Sequence, residues 1–341
     1  MMNKPKRILI IRTDRLGDVI LSTPVIKNLR KKYPDGYIAF ICRPYTKEIL
    51  EQNPYLDELI VYDKYGADKS FLATLKFALS LRKKKFDLAL ILHPTNRAYL
   101  IAFLAGIPKR IGWDKKLSFL LTDKLAHTKD QGRKHELEYN LDLLRYLDIL
   151  AEDKEIYIPI KNDCQQNVDN ILEKKGIEKK DKLIVIHPSA SCPSKRWPKD
   201  KFIKLIKMLK EEKDIKIVVI TSADQKDFGK EIAKIDGVID LCGFLSVPET
   251  IALINRVRLF ISCDSGPVHI AAGLNKPVIS IFGRSQAGLS PKRWAPTGKN
   301  SYFLHKDVGC KTCLAHNCQK GFICLQAIEP AEVYNLAKKI I

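Results

Sequence analysis

Short runs of β-branched and aliphatic residues alternate with longer amphipathic stretches along the whole chain. Fully apolar short segments alternating with segments of helical period are what βα units around parallel sheets produce. In the first half the pattern predicts strands over 7–11, 37–42, 59–62, 86–92 and 110–113. Helices are predicted near 18–32, 44–52, 68–84 and 95–105, with another over 135–149. The stretch 156–181 breaks the rhythm. An extended Ile156-Tyr157-Ile158-Pro159-Ile160 precedes a charged helix and Lys179-Lys180-Asp181, which reads as an interdomain connection. A second series then begins, with strands over 183–187, 215–221, 238–241, 259–262 and 278–282. Helices over 199–212, 224–235, 247–256 and 266–274 separate them.

The fold class expected is α/β, with an N-terminal domain over 1–165 and a C-terminal domain over 180–328. A closing helix over 330–341, set apart by a cysteine-rich segment, is expected to pack back on the first domain. In open parallel sheets ligands sit outside the carboxyl ends of the strands. The site is therefore expected in a cleft between the two domains, and its motifs just after strands.

A length of 341 residues suits two domains, each able to bury a core. The formal charge of +20 is unusual, and it gathers in first-half runs such as Arg30-Lys31-Lys32, Arg82-Lys83-Lys84-Lys85, Lys109-Arg110 and Lys115-Lys116. Such a field attracts nucleic acid, anionic head groups or a phosphorylated substrate, and charge alone does not choose among them. Most of these cations read as solvated lysines on the backs of helices. The basic start, Met1 to Arg7, is followed by only a short apolar run before Arg12, so no signal peptide is expected. No stretch approaches the roughly 18 apolar residues of a membrane span. A cytoplasmic protein, at most peripheral to a membrane, is expected. Of nine cysteines, Cys42, Cys164, Cys192, Cys242 and Cys263 are scattered and read as inert thiols of a reducing compartment.

Four segments carry candidate chemistry. Arg12-Thr13-Asp14-Arg15-Leu16-Gly17-Asp18 follows the first strand directly. Gly17 allows a tight turn, and Asp18 places a carboxylate where a general base towards a hydroxyl belongs; the alternative is that Asp18 only caps the helix. The loop from His187 to Pro198 joins hydroxyls, Ser189 and Ser191 among them, to Lys195. Hydroxyls and amides can accept a diphosphate, and Lys195 can neutralise the charge of a departing nucleoside diphosphate; an ordinary βα loop is the plainer alternative. Asp264-Ser265-Gly266-Pro267-Val268-His269 again follows a strand and opens a small-residue helix. The free amides from Ser265 to Val268 suit a phosphate or a sugar hydroxyl, and Asp264 can orient the sugar, unless the motif is a structural cap with a core histidine. Finally, Cys310, Cys313, Cys318 and Cys324 could hold zinc tetrahedrally, stay free or form disulfides. Free thiols are the preferred reading, and the cluster is given no catalytic role.

With these residues located, the chain resembles the bacterial lipopolysaccharide heptosyltransferases, glycosyltransferase family 9. The likeness runs through Gly17-Asp18 with Val19 to Pro24, Leu92-His93-Pro94, Lys109-Arg110-Ile111-Gly112, the His187 to Trp197 loop, Asp264 to His269, and Ile281-Phe282-Gly283. The resemblance implies a GT-B fold, two Rossmann-like domains facing each other across a cleft, the first for the lipid A-core acceptor and the second for ADP-heptose. It implies inverting transfer of heptose in lipopolysaccharide core biosynthesis. By the same resemblance Asp18 is the general base, Lys195 contacts and stabilises the donor, and Ser189 and Ser191 contact phosphate. Asp264, Ser265, Gly266 and His269 bind the donor, and Arg12, Arg15 and Arg110 face the acceptor's phosphates. No cofactor is implied. The partners implied are a nucleotide sugar, a phosphorylated glycolipid and the cytoplasmic face of the inner membrane.

Two other readings stay open. One is a GT-B enzyme that uses a different nucleotide sugar, since fold does not fix chemistry. The other is a noncatalytic basic protein that binds nucleic acid. The scarcity of aromatics in the basic runs and the absence of a groove-reading motif speak against it, so no nucleic-acid partner is expected.

Overall fold

The computed structural model describes residues 5–341; residues 1–4 lie outside the described residues, and with them part of the terminus read as no signal peptide. The chain divides into two compact units. One comprises the residues through Asp130 with Lys134–Pro159, the other Gln131–Arg133 with Ile160–Ile341.

In the first unit β1 (Arg7–Ile11), β2 (Tyr37–Cys42), β3 (Glu58–Val61), β4 (Leu88–Ile91), β5 (Lys109–Asp114) and β6 (Asp123–Ala126) form one sheet. Its order is β3-β2-β1-β4-β5-β6 and every pairing is parallel. In the second unit β7 (Lys182–His187), β8 (Ile215–Val219), β9 (Val238–Asp240), β10 (Leu259–Cys263), β11 (Val278–Phe282) and β12 (Ser301–His305) repeat that plan, in the order β12-β11-β10-β7-β8-β9. Both are the doubly wound Rossmann arrangement, whose order reverses between its first and fourth strands. The switch points lie at β1/β4 and β7/β10.

The central strands are apolar throughout because both faces of a parallel sheet are covered. Leu9, Ile11, Ala39, Ile41, Ala89 and Ile91 share one core with residues of α3 (Phe71–Arg82) and α4 (Asn96–Leu104). The alternate residues Ile8, Ile10, Ile38, Phe40, Leu88 and Leu90 are equally buried. The edge strands β6 and β12, which sequence reasoning does not find, lack that signature. Each pairs on one side only and is half exposed.

The helix expected over 18–32 is two helices, α1 (Leu16–Ile20) and α2 (Thr23–Lys32). Pro24 has no N–H to continue the first, and the Thr23 hydroxyl donates to the carbonyl of Ile20 at 2.8 Å. The stretch 135–149 is likewise α5 (Glu136–Asp142) followed by a 3₁₀ turn. The charged helix of the expected connection is α6 (Asn162–Lys174). It belongs to the second unit, where Arg256 pairs with Asp169 at 3.3 Å and Asn255 donates to Gln165 at 3.2 Å.

Further along run α7 (Lys199–Lys210), α8 (Lys226–Ala233), α9 (Val247–Arg256), α10 (Gly266–Gly273), α11 (Pro291–Trp294), α12 (Ile323–Gln326) and α13 (Pro330–Lys338). The expectation that the closing helix returns to the first domain is corrected. Val333 and Ala337 of α13 are fully buried in the second unit's core with Phe202 and Leu205 of α7. Among the described residues no helix is long and apolar enough to cross a membrane.

Candidate active site

Strand register brings the first set of residues together. Ile11 lies beside Ile41 on one side and Ile91 on the other, so the three strands end within a residue of one another, and the chain leaves them at Arg12, Arg43 and Leu92, just before His93. Arg12 is 2% exposed and all five of its N–H groups are taken. Nε donates to Asp14 Oδ1 at 2.8 Å, and Nη1 to Asn140 Oδ1 at 2.8 Å and Glu136 Oε1 at 3.1 Å. Nη2 donates to Asp18 Oδ1 at 2.6 Å and Glu136 Oε1 at 3.1 Å. Burial opposes the charge of Arg12, and the surrounding Asp14, Asp18 and Glu136 more than offset it, so its pKa is raised. Arg12 therefore orients carboxylates. All of its donors face side chains of this unit.

Asp18 is not a cap. The N-cap of α1 is Arg15, no side chain caps that helix, and Gly17 sits inside it without a left-handed backbone. The Asp18 carboxylate instead turns to Arg12. Burial and then the charge of Asp14 push its pKa up to about 6, against the pull of Arg12. That value suits a base working near neutral pH. His93 lies 3.3 Å from Asp14, but burial and Arg12 lower its pKa to about 3, so the imidazole is neutral there. Lys129 closes the cluster, donating to Glu136 at 2.7 Å and to the carbonyl of Leu92 at 3.3 Å.

Arg15 is exposed beside this cluster. Arg110 is not brought to it. It pairs in register with Ala89, which pairs no further along than Leu9, three residues or about 10 Å short of Arg12. Its guanidinium donates to the carbonyls of Leu120 at 2.7 Å and Ile107 at 2.5 Å. An adjoining cavity of about 460 Å³ is lined instead by Lys64, Lys69, Arg97 and Lys116, with Thr13 and Tyr65. It has no acidic side chain in its wall, and sequence reasoning misses it.

In the second unit Ser262 lies beside His187, and Cys263 beside Ile281. The loops after β7, β10 and β11 thus begin at one level. His187 Nδ1 is 2.9 Å from the hydroxyl of Ser262 and 3.3 Å from that of Ser265, and its Nε2 is 3.1 Å from the hydroxyl of Ser189. Burial lowers its pKa to about 4, so a neutral ring joins three hydroxyls. Ser189, 2% exposed, belongs to the support under the loop, whereas Ser191 lies on its surface.

The rest of the loop explains its unusual ending. Trp197 is buried and donates to the carbonyl of Ile328 at 3.1 Å, and Arg196 donates to Ala190 and Gln225 at 3.1 and 2.8 Å. With the loop so pinned, Lys195 reaches Asp264 Oδ2 at 3.3 Å. Arg284, which sequence reasoning misses, donates to the same oxygen at 2.5 Å. Asp264 is 4% exposed and anchors two cations. Ser265, Gly266 and Pro267 at the start of α10 are half exposed, while His269 is buried. Proline has no N–H and the Val268 amide donates to Ser265, so only the Ser265 and Gly266 amides remain for a ligand, fewer than expected.

The cysteines form no disulfide, and among the described residues no three His, Cys, Asp or Glu side chains are placed to hold a metal. Burial pushes Cys42, Cys242 and Cys263 up to about 12, which makes them unreactive.

Two Rossmann units, each with a charged cluster at the ends of its central strands, have the plan of the GT-B glycosyltransferases. The family model for glycosyltransferase family 9 (heptosyltransferase) matches residues 74–323, and the chain belongs to that family. Lipopolysaccharide heptosyltransferase 3 of Escherichia coli (strain K12) is 31% identical over 298 residues, 83% of each chain. Two solved structures share the fold: the family 9 glycosyl transferase of Veillonella parvula DSM 2008, with a TM-score of 0.86 at 24% identity, covering 98% of this chain and 97% of that one, and E. coli ADP-heptose lps heptosyltransferase II, with a TM-score of 0.79 at 22% identity, covering 98% of each.

Proposed function

We propose that this glycosyltransferase moves heptose from ADP-heptose to a phosphorylated lipid A-core glycolipid in lipopolysaccharide core biosynthesis. The likeness to a lipopolysaccharide heptosyltransferase supports the sugar and the acceptor. The observation that carries the mechanism is the Asp18 carboxylate, partly buried, oriented by Arg12 and raised to about 6. Asp18 takes the proton of an acceptor hydroxyl, and the oxygen attacks the anomeric carbon as the bond from that carbon to the diphosphate breaks, inverting its configuration. The electron pair leaves with ADP. Lys195 and the open amides of Ser265 and Gly266 offset the charge that gathers on the diphosphate, with Ser191 at the loop surface beside it. No cofactor, metal ion or nucleic-acid partner enters this scheme.

The first unit serves the acceptor. Lys64, Lys69 and Lys116 form no ion pair among the described residues, and with Arg97 they are the charged groups of the 460 Å³ cavity's wall, all cationic and suited to phosphate. The second unit serves the donor. The enzyme works at the cytoplasmic face of the inner membrane as a peripheral protein, drawn there by its positive charge. Calorimetry against a panel of nucleotide sugars tests the donor. ADP-heptose should bind at least about tenfold more tightly than UDP- or GDP-linked sugars, a difference of about 1.4 kcal/mol. Equal or tighter binding of another nucleotide sugar would replace heptose in the reaction.

A further inference from the structure

We propose that Glu136 is a positioning residue for the transfer reaction, dividing the charge of Arg12 so that Asp18 is oriented by that guanidinium without being disarmed as a base. This rests on Asp18 being the base.

Glu136 is fully buried at the first residue of α5, and its Oε1 accepts from both Arg12 Nη groups at 3.1 Å and from Lys129 Nζ at 2.7 Å. Helix capping does not account for it. The start of α5 is closed by a capping box between His135 and Glu138, in which the His135 ring accepts from Leu137 and Glu138 accepts from the His135 amide. Packing does not account for it either. Burying an ion pair costs desolvation that an apolar side chain of the same volume avoids, and such replacements are often neutral or stabilising. What Glu136 does in this cluster is hold two cations.

The charge balance shows why that matters. Around Asp18 stand Arg12 and Asp14 from the turn after β1, Lys129 from the segment before α5, Glu136 and Asn140 from α5, the neutral His93 after β4, and Tyr45, whose hydroxyl donates to the Asp14 carbonyl at 3.1 Å. Within the hydrogen-bonded cluster two cations, Arg12 and Lys129, meet three carboxylates, while Arg15 is exposed beside it and Arg43 stacks over the Tyr45 ring. An aspartate that monopolised a buried arginine would lose proton affinity. Glu136 takes two of the five guanidinium N–H groups, Asn140 and Asp14 one each, and Asp18 one. The guanidinium thus fixes the Asp18 carboxylate through a single 2.6 Å bond while its charge is shared.

The test is the pH profile of kcat at saturating substrates for the full-length protein and two variants, Glu136→Gln and Asn140→Asp, which change charge in opposite senses with little change of shape. Glu136→Gln should move the acidic limb down by about one pH unit, raising activity at pH 5 relative to the plateau roughly fivefold, and lower the plateau several-fold as the base weakens. Asn140→Asp should move the limb up. ADP affinity should be unchanged in both. Limbs that stay at the wild-type position, or activity lost by the same factor at every pH, would overturn the role of Glu136; either variant alone decides if the other does not fold. Asp18→Asn is measured beside them. Its full activity would instead remove the base, and with it the premise, so the two failures are distinct.

Discussion

Asp18 is a weak acid held by an arginine and nonetheless raised, because burial and Asp14 outweigh Arg12. The sign of the pH dependence follows. Only the ionised carboxylate accepts a proton, so transfer should rise as pH increases through about 6 and level off above 7; a rate independent of pH between 5 and 7 would contradict it. On the donor side, Asp264 and Arg284 are both buried, so Arg284→Met leaves the carboxylate to Lys195 alone. It should destabilise the second unit by about 3 kcal/mol in chemical denaturation and raise the KM for the donor. Asp18, Lys195 and Asp264 were legible in the sequence because each stands in a polar motif just after an apolar run. Their partners were not. Glu136 lies 124 residues from Arg12, and Arg284 lies 20 from Asp264 on the far side of another strand. The partners of Arg12 are hidden for the same reason, since a sequence shows a cation near a site but not the four side chains that occupy it. That Arg110 lies about 10 Å short of Arg12 along the sheet follows only from the register.

The central strands and most helices follow from periodicity, since a strand covered on both faces must be apolar along its length. Of the four edge strands, β3 and β9 still carry a short apolar run and are found, whereas β6 and β12 do not and are missed. Asp-Lys-Leu-Ala and Ser-Tyr-Phe-Leu-His carry mixed polarity because one side of each needs no partner. The fate of α13 was equally hidden, because an amphipathic helix does not name the surface it covers. One contact at this scale is testable. Gly229 lets α8 approach the sheet so closely that an added Cβ would fall 2.4 Å from the Cys242 sulfur and 2.5 Å from Thr221 Cγ2. Gly229→Ala should cost about 1–3 kcal/mol, read as a lower denaturation midpoint, although alanine is the better helix former. A neutral or stabilising effect would mean the helix moves away freely.

For the molecule as a whole, the net charge of +20 is less uniform than the sequence suggests. Within the basic runs Arg30 pairs with Asp57, Lys31 with Asp153, and Lys84 with Glu58. The cavity cations Lys64, Lys69 and Lys116, the last from the run Lys115-Lys116, form no ion pair among the described residues, and it is they that suit a phosphorylated acceptor. Replacing Lys64, Lys69 and Lys116 together by Glu should raise KM for the phosphorylated glycolipid roughly tenfold or more, while the donor KM stays the same. A dephosphorylated acceptor should show little change, and an equal effect on both would mean the cavity does not read phosphate. The most direct measurement is mass analysis of heptose-deficient core glycolipid after incubation with ADP-heptose and either the wild-type protein or Asp18→Asn. Wild type should add the mass of one heptose, and Asp18→Asn should still bind ADP but react roughly 10²- to 10⁴-fold more slowly. An unmodified glycolipid with the wild type, or undiminished transfer by Asp18→Asn, would contradict it.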